Sequence, residues 1–437
     1  MSLTKATYAM ITGAQANVLD FGADPTGVAD STTAIQAAYD SLPAAITATA
    51  PIGGGTVYFP PGQYKTTAAI SIVDDNIITK GNGATIQPTH TGDVFVIGPD
   101  GETRQFVVFD SIIVKPVATT RDIVRFESGT MQCKVLNCRF EGATSTYTTG
   151  YGVNFASTIV AFNNNNAITG SYFRWLNNGI KDGLAQVELL IDNCRFSNLA
   201  NQAIVISTGG LTNVIACNFE SCGQTALTDT AIVQFGKTGG PTIGRCSIYG
   251  CHFEENGSTA SNRNFDLYIQ EARSVLVTAN RFYAGPTYPT KTAIQCENSD
   301  NITVLNNEYQ DYVSGAVDIG STNADVVYLG NISVSQPEFT GTGTQGLVKF
   351  AQADGNFNVT LGSTTTANAM AIKDSAGANV FLAFADGSIG TDALANGSST
   401  ATFTSTTKPG ATTGASPAGW MPIRQAGVLY WIPVWAN

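Results

Sequence analysis

A solenoid of parallel β-strands, all-β apart from one short helix, is the fold this sequence predicts. Three observations carry it. Between residues 130 and 335 a strand of the form apolar-x-x-small-x-aromatic recurs: VLNCRF (135–140), ITGSYF (168–173), LIDNCRF (190–196), VIACNF (214–219), IYGCHF (248–253), VTANRF (277–282) and VLNNEY (304–309). A second, shorter strand lies between successive members, as GVNF, GIKD, AIVI, AIVQ, DLYI, AIQC and AVDI. Helical periodicity is almost absent elsewhere, and Gly, Asn, Asp and Ser punctuate short β-branched and aromatic runs. The closing aromatics are 33, 23, 23, 34, 29 and 27 residues apart. Two strand markers per unit of that length, with variable insertions, fit a parallel β-helix. A leucine-rich repeat would show its Leu/Asn consensus, and a propeller would need longer blades.

The register of the repeat gives each residue a place. Two positions before the closing aromatics stand Cys138, Ser171, Cys194, Cys217, Cys251, Asn280 and Asn307. Equivalent positions on successive coils stack about 4.8 Å apart, so four of the eight cysteines form an interior ladder. The pairs Cys133/Cys138, Cys217/Cys222 and Cys246/Cys251 are five apart, which on one continuous strand puts them on opposite faces. Neither a chelate nor a disulfide follows from that spacing.

The lone helical pattern is Ser31 to Leu42, with Ile35, Ala38 and Leu42 on one face behind Asp30-Ser31. Residues 1–16 form a short polar leader, and 17–335 hold the solenoid with its start. From 336 to 437, and most clearly beyond Gly341, Gly, Thr, Ser and Ala dominate, with isolated strands, which predicts a small C-terminal β domain. Trp420, Trp431 and Trp435 crowd its end, an aromatic surface suited to packing on its own chain or on another subunit.

The chain has 437 residues, 43% hydrophobic, with 33 acidic and 22 basic side chains for a net charge of −11. A large core is therefore within reach and disorder is excluded. No basic run exists, which argues against nucleic acid as a partner. No apolar run approaches the ~18 residues of a membrane-spanning helix, so membrane insertion is not expected. The opening MSLTKATYAM lacks a signal peptide's apolar region, which argues against classical secretion. Only His90 and His252 are available as imidazoles, which excludes His-rich zinc chemistry.

Three stretches carry a resemblance. Asn17–Tyr64 contains NVLDFGADPTGVADSTTAIQAAYDSL and then GGGTVYFPPGQY. This resembles the opening of the pectate-lyase-like β-helix family found in phage tailspikes and capsule depolymerases. The closing PIRQAGVLYWIPVW resembles the final hairpin of phage fibres and spikes, and Tyr8-Ala9-Met10-Ile11 resembles a leader that joins a virion adaptor. The resemblance implies a right-handed single-stranded β-helix with an N-terminal capping helix. It also implies homotrimeric assembly, attachment to a virion tail protein, and action on bacterial capsule or O-antigen outside the cell. It transfers no catalytic position. Asp20, Asp24 and Asp30 in the opening motif are expected to cap turns rather than catalyse.

The candidate chemistry rests on carboxylates. Gly341-Thr342-Gly343-Thr344-Gln345-Gly346 matches a dinucleotide fingerprint but precedes a strand-like LVKFA, so it predicts no cofactor site. No cofactor or metal is called for. Glycoside hydrolysis needs two carboxyl groups at a set separation, which a solenoid can supply from adjacent coils. After the closing aromatics stand Glu141, Arg174, Ser197, Glu220, Glu254, Tyr283 and Gln310. Glu220 and Glu254 thus fall on consecutive coils and are the first catalytic candidates, ahead of Asp266 and Glu297, with Asp182 below them. Trp175, Tyr249 and Tyr268 are candidate sugar platforms, and Arg174 and Arg281 candidate partners for acidic sugars. Arg139, Arg195, His252 and Arg281 share one outward register, from which His252 and Arg281 could serve a lyase as base and neutraliser. Hydrolysis of bacterial surface polysaccharide is the favoured activity. β-Elimination and non-catalytic glycan binding are the alternatives.

Overall fold

The structure is a computed structural model. It describes residues 15–43, 53–117, 121–127, 129–143, 148–156, 164–183, 188–224, 231–236, 242–257, 265–285, 292–312, 315–319, 324–334 and 339–340, and five later strands. The chain divides into two compact units, Met1–Val348 and Lys349–Asn437.

The first unit winds as a parallel β-helix whose strands form three long sheets, here called A, B and C, of thirteen, twelve and eleven strands. A coil runs from A through a two-residue corner to B, then to C, and back to A. In one coil these strands are Lys134–Leu136, Arg139–Glu141 and Thr148–Phe155, followed by Asn166–Thr169 of the next. Each repeated motif that reads as one strand is therefore two. The chain turns inside it at a residue of positive φ: Asn137 at 53°, Asn193 at 50°, Ala216 at 51°, Ala279 at 55°, Asn306 at 52°, and Gly170 and Gly250 at 62° and 64°. Left-handed backbone suits Gly and Asn, which is why they recur there, although Ala216 and Ala279 adopt it too. The shorter motif is the strand of sheet C, so each coil has three strands rather than two.

The corner also revises the cysteine reading. Cys133 precedes the sheet A strand and Cys138 is the second residue of the corner, so no continuous strand joins them and both are buried. All eight cysteines are buried and free. Burial pushes the thiols of Cys133, Cys138 and Cys296 up to about 12, which keeps them protonated and unreactive. The expected ladder of Cys138, Cys194, Cys217 and Cys251 is in the core, and the Cys217 amide lies 3.4 Å from the Cys251 sulfur.

Inside sheet B the closing aromatics stack. Ring centroids are 4.8 Å apart for Phe173–Phe196, 5.1 Å for Phe196–Phe219, and 4.6 Å for both Phe219–Phe253 and Phe253–Phe282. Gly152 and Gly179 make room for this column, because a Cβ would stand 2.5 Å from the Phe173 ring and 2.9 Å from the Phe196 ring.

Below it the corner cysteines give way to asparagines. The Asn307 carboxamide oxygen accepts the backbone and side-chain N–H groups of Asn280 at 2.9 Å, and Asn331 does the same for Asn307. Replacing Asn307 by Ala strands the buried Asn280 amide, so Asn307→Ala is expected to cost about 2 kcal/mol, read as a lower urea midpoint.

The helix spans Thr32–Asp40 and buries Ile35, Ala38 and Tyr39. Its N-cap residue, Ser31, makes no side-chain cap hydrogen bond, while Asp30 before it accepts the Thr32 amide at 3.0 Å in a tight turn. Gln36 exchanges two hydrogen bonds with the backbone of Ser71. Asp24 gathers the amides of Thr26, Val28 and Ala29, which hold its carboxyl at about 2.

Residues 1–14 of the expected leader lie outside the described residues. The second unit holds a five-stranded sheet that ends in an antiparallel hairpin of Gly419–Gln425 and Val428–Val434. Among the described residues no helix is long and apolar enough to cross a membrane.

Candidate active site

The three outer faces differ in exposure and in the length of the connections that join them. Every sequence motif closes its A–B corner with two residues, for example Asn137-Cys138 and Ala216-Cys217. From Thr148 to Gln310 the long connections border sheet C: residues 221–232, 255–264 and 284–291 lead into it, and 156–165 and 236–242 lead out. Its outward residues run in register as Arg125, Asn154, Lys181, Val205, Gln234, Tyr268, Gln295 and Asp318. Although they face away from the core, Asn154, Val205 and Gln295 retain only 5%, 8% and 6% exposure. The sheet B row is open by comparison, with the Arg195 and Arg281 side chains 56% and 52% exposed.

Two polar groups lie on sheet C. One is built on Arg125, whose guanidinium donates to Asp122 and Glu127 at 2.9 Å and lies 3.7 Å from Asp93. Asn154 donates to Asp122 at 2.7 Å, so this group is internally paired.

The other group is built on two of the sequence candidates. Tyr268 donates its hydroxyl to Glu297 at 2.6 Å, and the Phe265 ring stacks on Tyr268 at 5.3 Å and fixes its orientation. Gln295 brings its amide within 3.5 Å of the other Glu297 oxygen. Asp318 follows Gln295 in register on the next coil. Burial raises its carboxyl above the usual range, a Gln295 hydrogen bond lowers it, and the Glu297 charge raises it further. Glu297 and Asp318 are one coil and two residues apart, so their Cα atoms are separated by about 8 Å. Asp318 was not singled out in the sequence. Its signal was the D of AVDI, which occupies the same column as Tyr268 and Gln295.

The other candidates disperse. Glu220 and Glu254 are register partners on consecutive coils of sheet B, as the repeat implied. Glu220 is held by Arg195 at 2.5 Å, and Glu254 lies 3.8 Å from the His252 ring. The outward column of Arg139, Arg195, His252 and Arg281 exists, with Tyr172 between the first two and guanidinium carbons 5.5 and 5.6 Å from its ring. Arg281 faces Glu308 at 3.6 Å. Arg174 lies 3.5 Å over the Trp175 ring at the B–C corner. Tyr249 is 52% exposed on sheet A, a different face from all of these. Asp266 is enclosed at 1% exposure and accepts the Tyr312 hydroxyl at 2.5 Å. Its successors on the next two coils are Ala293 and Ala316, small enough to let Tyr312 reach it. Asp182 is also enclosed. Their place in the repeat put both on sheet C, but not on its outer side.

This architecture defines the class. Residues 15–228 match the family model described as rhamnogalacturonase A/epimerase, pectate lyase-like, and residues 185–364 match that of the right-handed beta helix region. The chain is a right-handed parallel β-helix protein. Among known proteins it is 47% identical over 73 residues to mannuronan C5-epimerase AlgE6 of Azotobacter vinelandii, a match covering 15% of this chain and 8% of that one. The chain thus spans less than a tenth of that relative's length. Of solved structures, the Agl-KA catalytic domain superposes with a TM-score of 0.50 at 14% identity, over 79% of this chain and 69% of that one. Tailspike protein 3 of bacteriophage CBA120 gives a TM-score of 0.40 at 13% identity, over 85% and 68%.

Proposed function

We propose that the protein is a phage tailspike depolymerase that binds bacterial surface polysaccharide along sheet C and hydrolyses it with Glu297 and Asp318. The observation that carries this reading is the recessed sheet C row, bordered by the long connections and holding a carboxylate pair with distinct surroundings. Glu297, oriented by Tyr268 and Gln295, takes a proton from the attacking water. Asp318, whose carboxyl is raised above its usual range by burial, gives a proton to the leaving glycosidic oxygen. Both carboxyls approach the Gln295 side chain, and attack by an activated water, rather than by Glu297 itself, would invert the anomeric centre. The Tyr268 ring offers a sugar platform.

The opening motif and the final hairpin support the tailspike reading. With them come a homotrimer, a C-terminal β domain over 336–437 that holds it together, and a leader over 1–16 that meets a virion adaptor. The local likeness to a polysaccharide epimerase supports a carbohydrate substrate. A second reading places the pair at Glu220 and Glu254, favoured by their direct register on consecutive coils, about 5 Å apart and near the retaining separation. It leaves both residues on an open face and Glu220 engaged by Arg195.

The test is incubation of the full chain with capsule and O-antigen from a strain panel, followed by mass spectrometry of what is released. Fragments carrying added water are expected. Fragments carrying an unsaturated sugar would replace hydrolysis by elimination and move attention to His252 and Arg281. Binding to one strain's glycan with no fragments from any would leave a receptor-binding spike.

A further inference from the structure

We infer that Asn154 and Lys181 form a second sugar subsite on sheet C, one that grips a neutral, hydroxyl-bearing unit of the glycan away from the carboxylate pair. The inference rests on the reading of sheet C as the glycan-binding face and gives that face a residue that sets specificity. Asn154 and Lys181 are register partners on consecutive coils. They belong to the outward row that continues through Val205 and Gln234 to Tyr268 and Gln295.

Both carry hydrogen-bonding capacity that the chain leaves unused. Asn154 is 5% exposed, and its amide nitrogen is committed to Asp122 at 2.7 Å. A carboxylate only accepts, so the orientation of the carboxamide is fixed and its oxygen is left over. Among the described residues no donor reaches this oxygen. A buried acceptor without a donor is unfavourable, and a ligand that supplies one relieves it. Lys181 is half-buried, with its ammonium 5.4 Å from the centre of the Tyr151 ring. Among the described residues it pairs with no carboxylate, whereas Arg125, two coils earlier on the same row, meets three. Burial and the Asp122 charge raise the Tyr151 phenol, so it stays neutral and gives Lys181 a ring but no counter-charge.

The leftover groups select the ligand. Lys181 only donates, and the Asn154 oxygen only accepts. A sugar hydroxyl does both at once, and neighbouring hydroxyls on one ring can divide the task. A carboxylate has no proton for Asn154, and a cation would meet the Lys181 charge. The flexible four-carbon stem of Lys181 lies beside Asn154 in register, and its movement off the Tyr151 ring opens the oxygen to the sugar. From Lys181 to Tyr268 is three coils, about 14 Å, over Val205 and Gln234. Neither is charged, and Gln234 is tied to Gln202 at 2.9 Å and to the Gly236 carbonyl at 3.0 Å. One glycan chain lying along the row thus reaches both places, and Lys181 acts on affinity rather than on the chemical step.

The test is calorimetric titration of the full-length protein with the capsule or O-antigen preparation that the wild type retains best in the strain panel. Lys181→Met keeps the stem and removes the donor. It is expected to weaken binding about tenfold and to raise KM alike, with kcat within about twofold of wild type. Lys181→Arg, which restores a donor, should recover most of the affinity. Fragments of one or two sugars from the same preparation are too short to span the row and should bind Lys181→Met and wild type alike. An equal loss for those fragments, or unchanged affinity for the polymer, overturns the inference and leaves the reading of sheet C standing. A deficit that vanishes at high salt overturns it too, because it would mark an anionic sugar held by Lys181 alone. If the wild type binds no preparation, the reading of the face falls and the subsite falls with it. Circular dichroism of each variant shows that the fold is kept.

Discussion

Asp318→Asn is expected to lower kcat for glycan cleavage by about 10³-fold, within the ~10²–10⁴ that a positioned acid or base contributes. Glu297→Gln should match it, while Glu220→Gln and Glu254→Gln should leave kcat within a few-fold. The measurement is oligosaccharide release from whichever surface polysaccharide the wild type cleaves. The reverse pattern, with Glu220→Gln and Glu254→Gln inactive, would move the chemistry to sheet B. The pH profile adds a check. The acid must carry its proton, so activity is present below the Asp318 pKa and lost as pH rises through it. Gln295 lowers that pKa through its hydrogen bond. Gln295→Ala therefore moves the alkaline limb to higher pH, which a purely structural role for Gln295 would not do.

The largest effect on stability is expected in the aromatic column. Phe219 is fully buried, with rings stacked on both sides at 5.1 and 4.6 Å. Phe219→Ala removes a buried aromatic from the middle of a solenoid whose neighbouring coils are tied by backbone hydrogen bonds and cannot collapse inward. The expected loss is about 3–5 kcal/mol, read as a fall in the denaturant midpoint. Arg195→Ala, on the open face of the same sheet, should cost under about 1 kcal/mol despite losing an ion pair. If the two variants unfolded at the same midpoint, the column would not be the element that holds the coils together.

How much of this was legible in the chain follows from what a repeat encodes. The sequence by itself determined the relations along the solenoid axis. The recurring closing aromatic placed Phe140, Phe173, Phe196, Phe219, Phe253, Phe282 and Tyr309 in one register, and that register carried Glu220 to Glu254 and Arg139 to Arg195 and Arg281. Period survives in sequence because each coil repeats the same inward and outward choices every ~4.8 Å.

Relations around the axis were decided only by the tertiary structure. The left-handed residue inside the motif turned one expected strand into two, and Ala216 and Ala279 show that residue type alone does not announce such a corner. That turn put Tyr249 on sheet A and Glu254 on sheet B, five residues apart yet on different faces. It also carried Cys133 and Cys138 to the same interior. Which outward side chains are buried depends on neighbours outside the repeat, such as Asp122 holding Asn154, and a repeat leaves those free to vary. Asp266 and Glu297 looked equivalent as acids of the short strand, but one precedes the first inward residue and is taken into the core by Tyr312. The other follows the last inward residue and meets Tyr268 outside. A difference of position within a single coil, set by the bend of the backbone, separated a buried carboxyl from an available one.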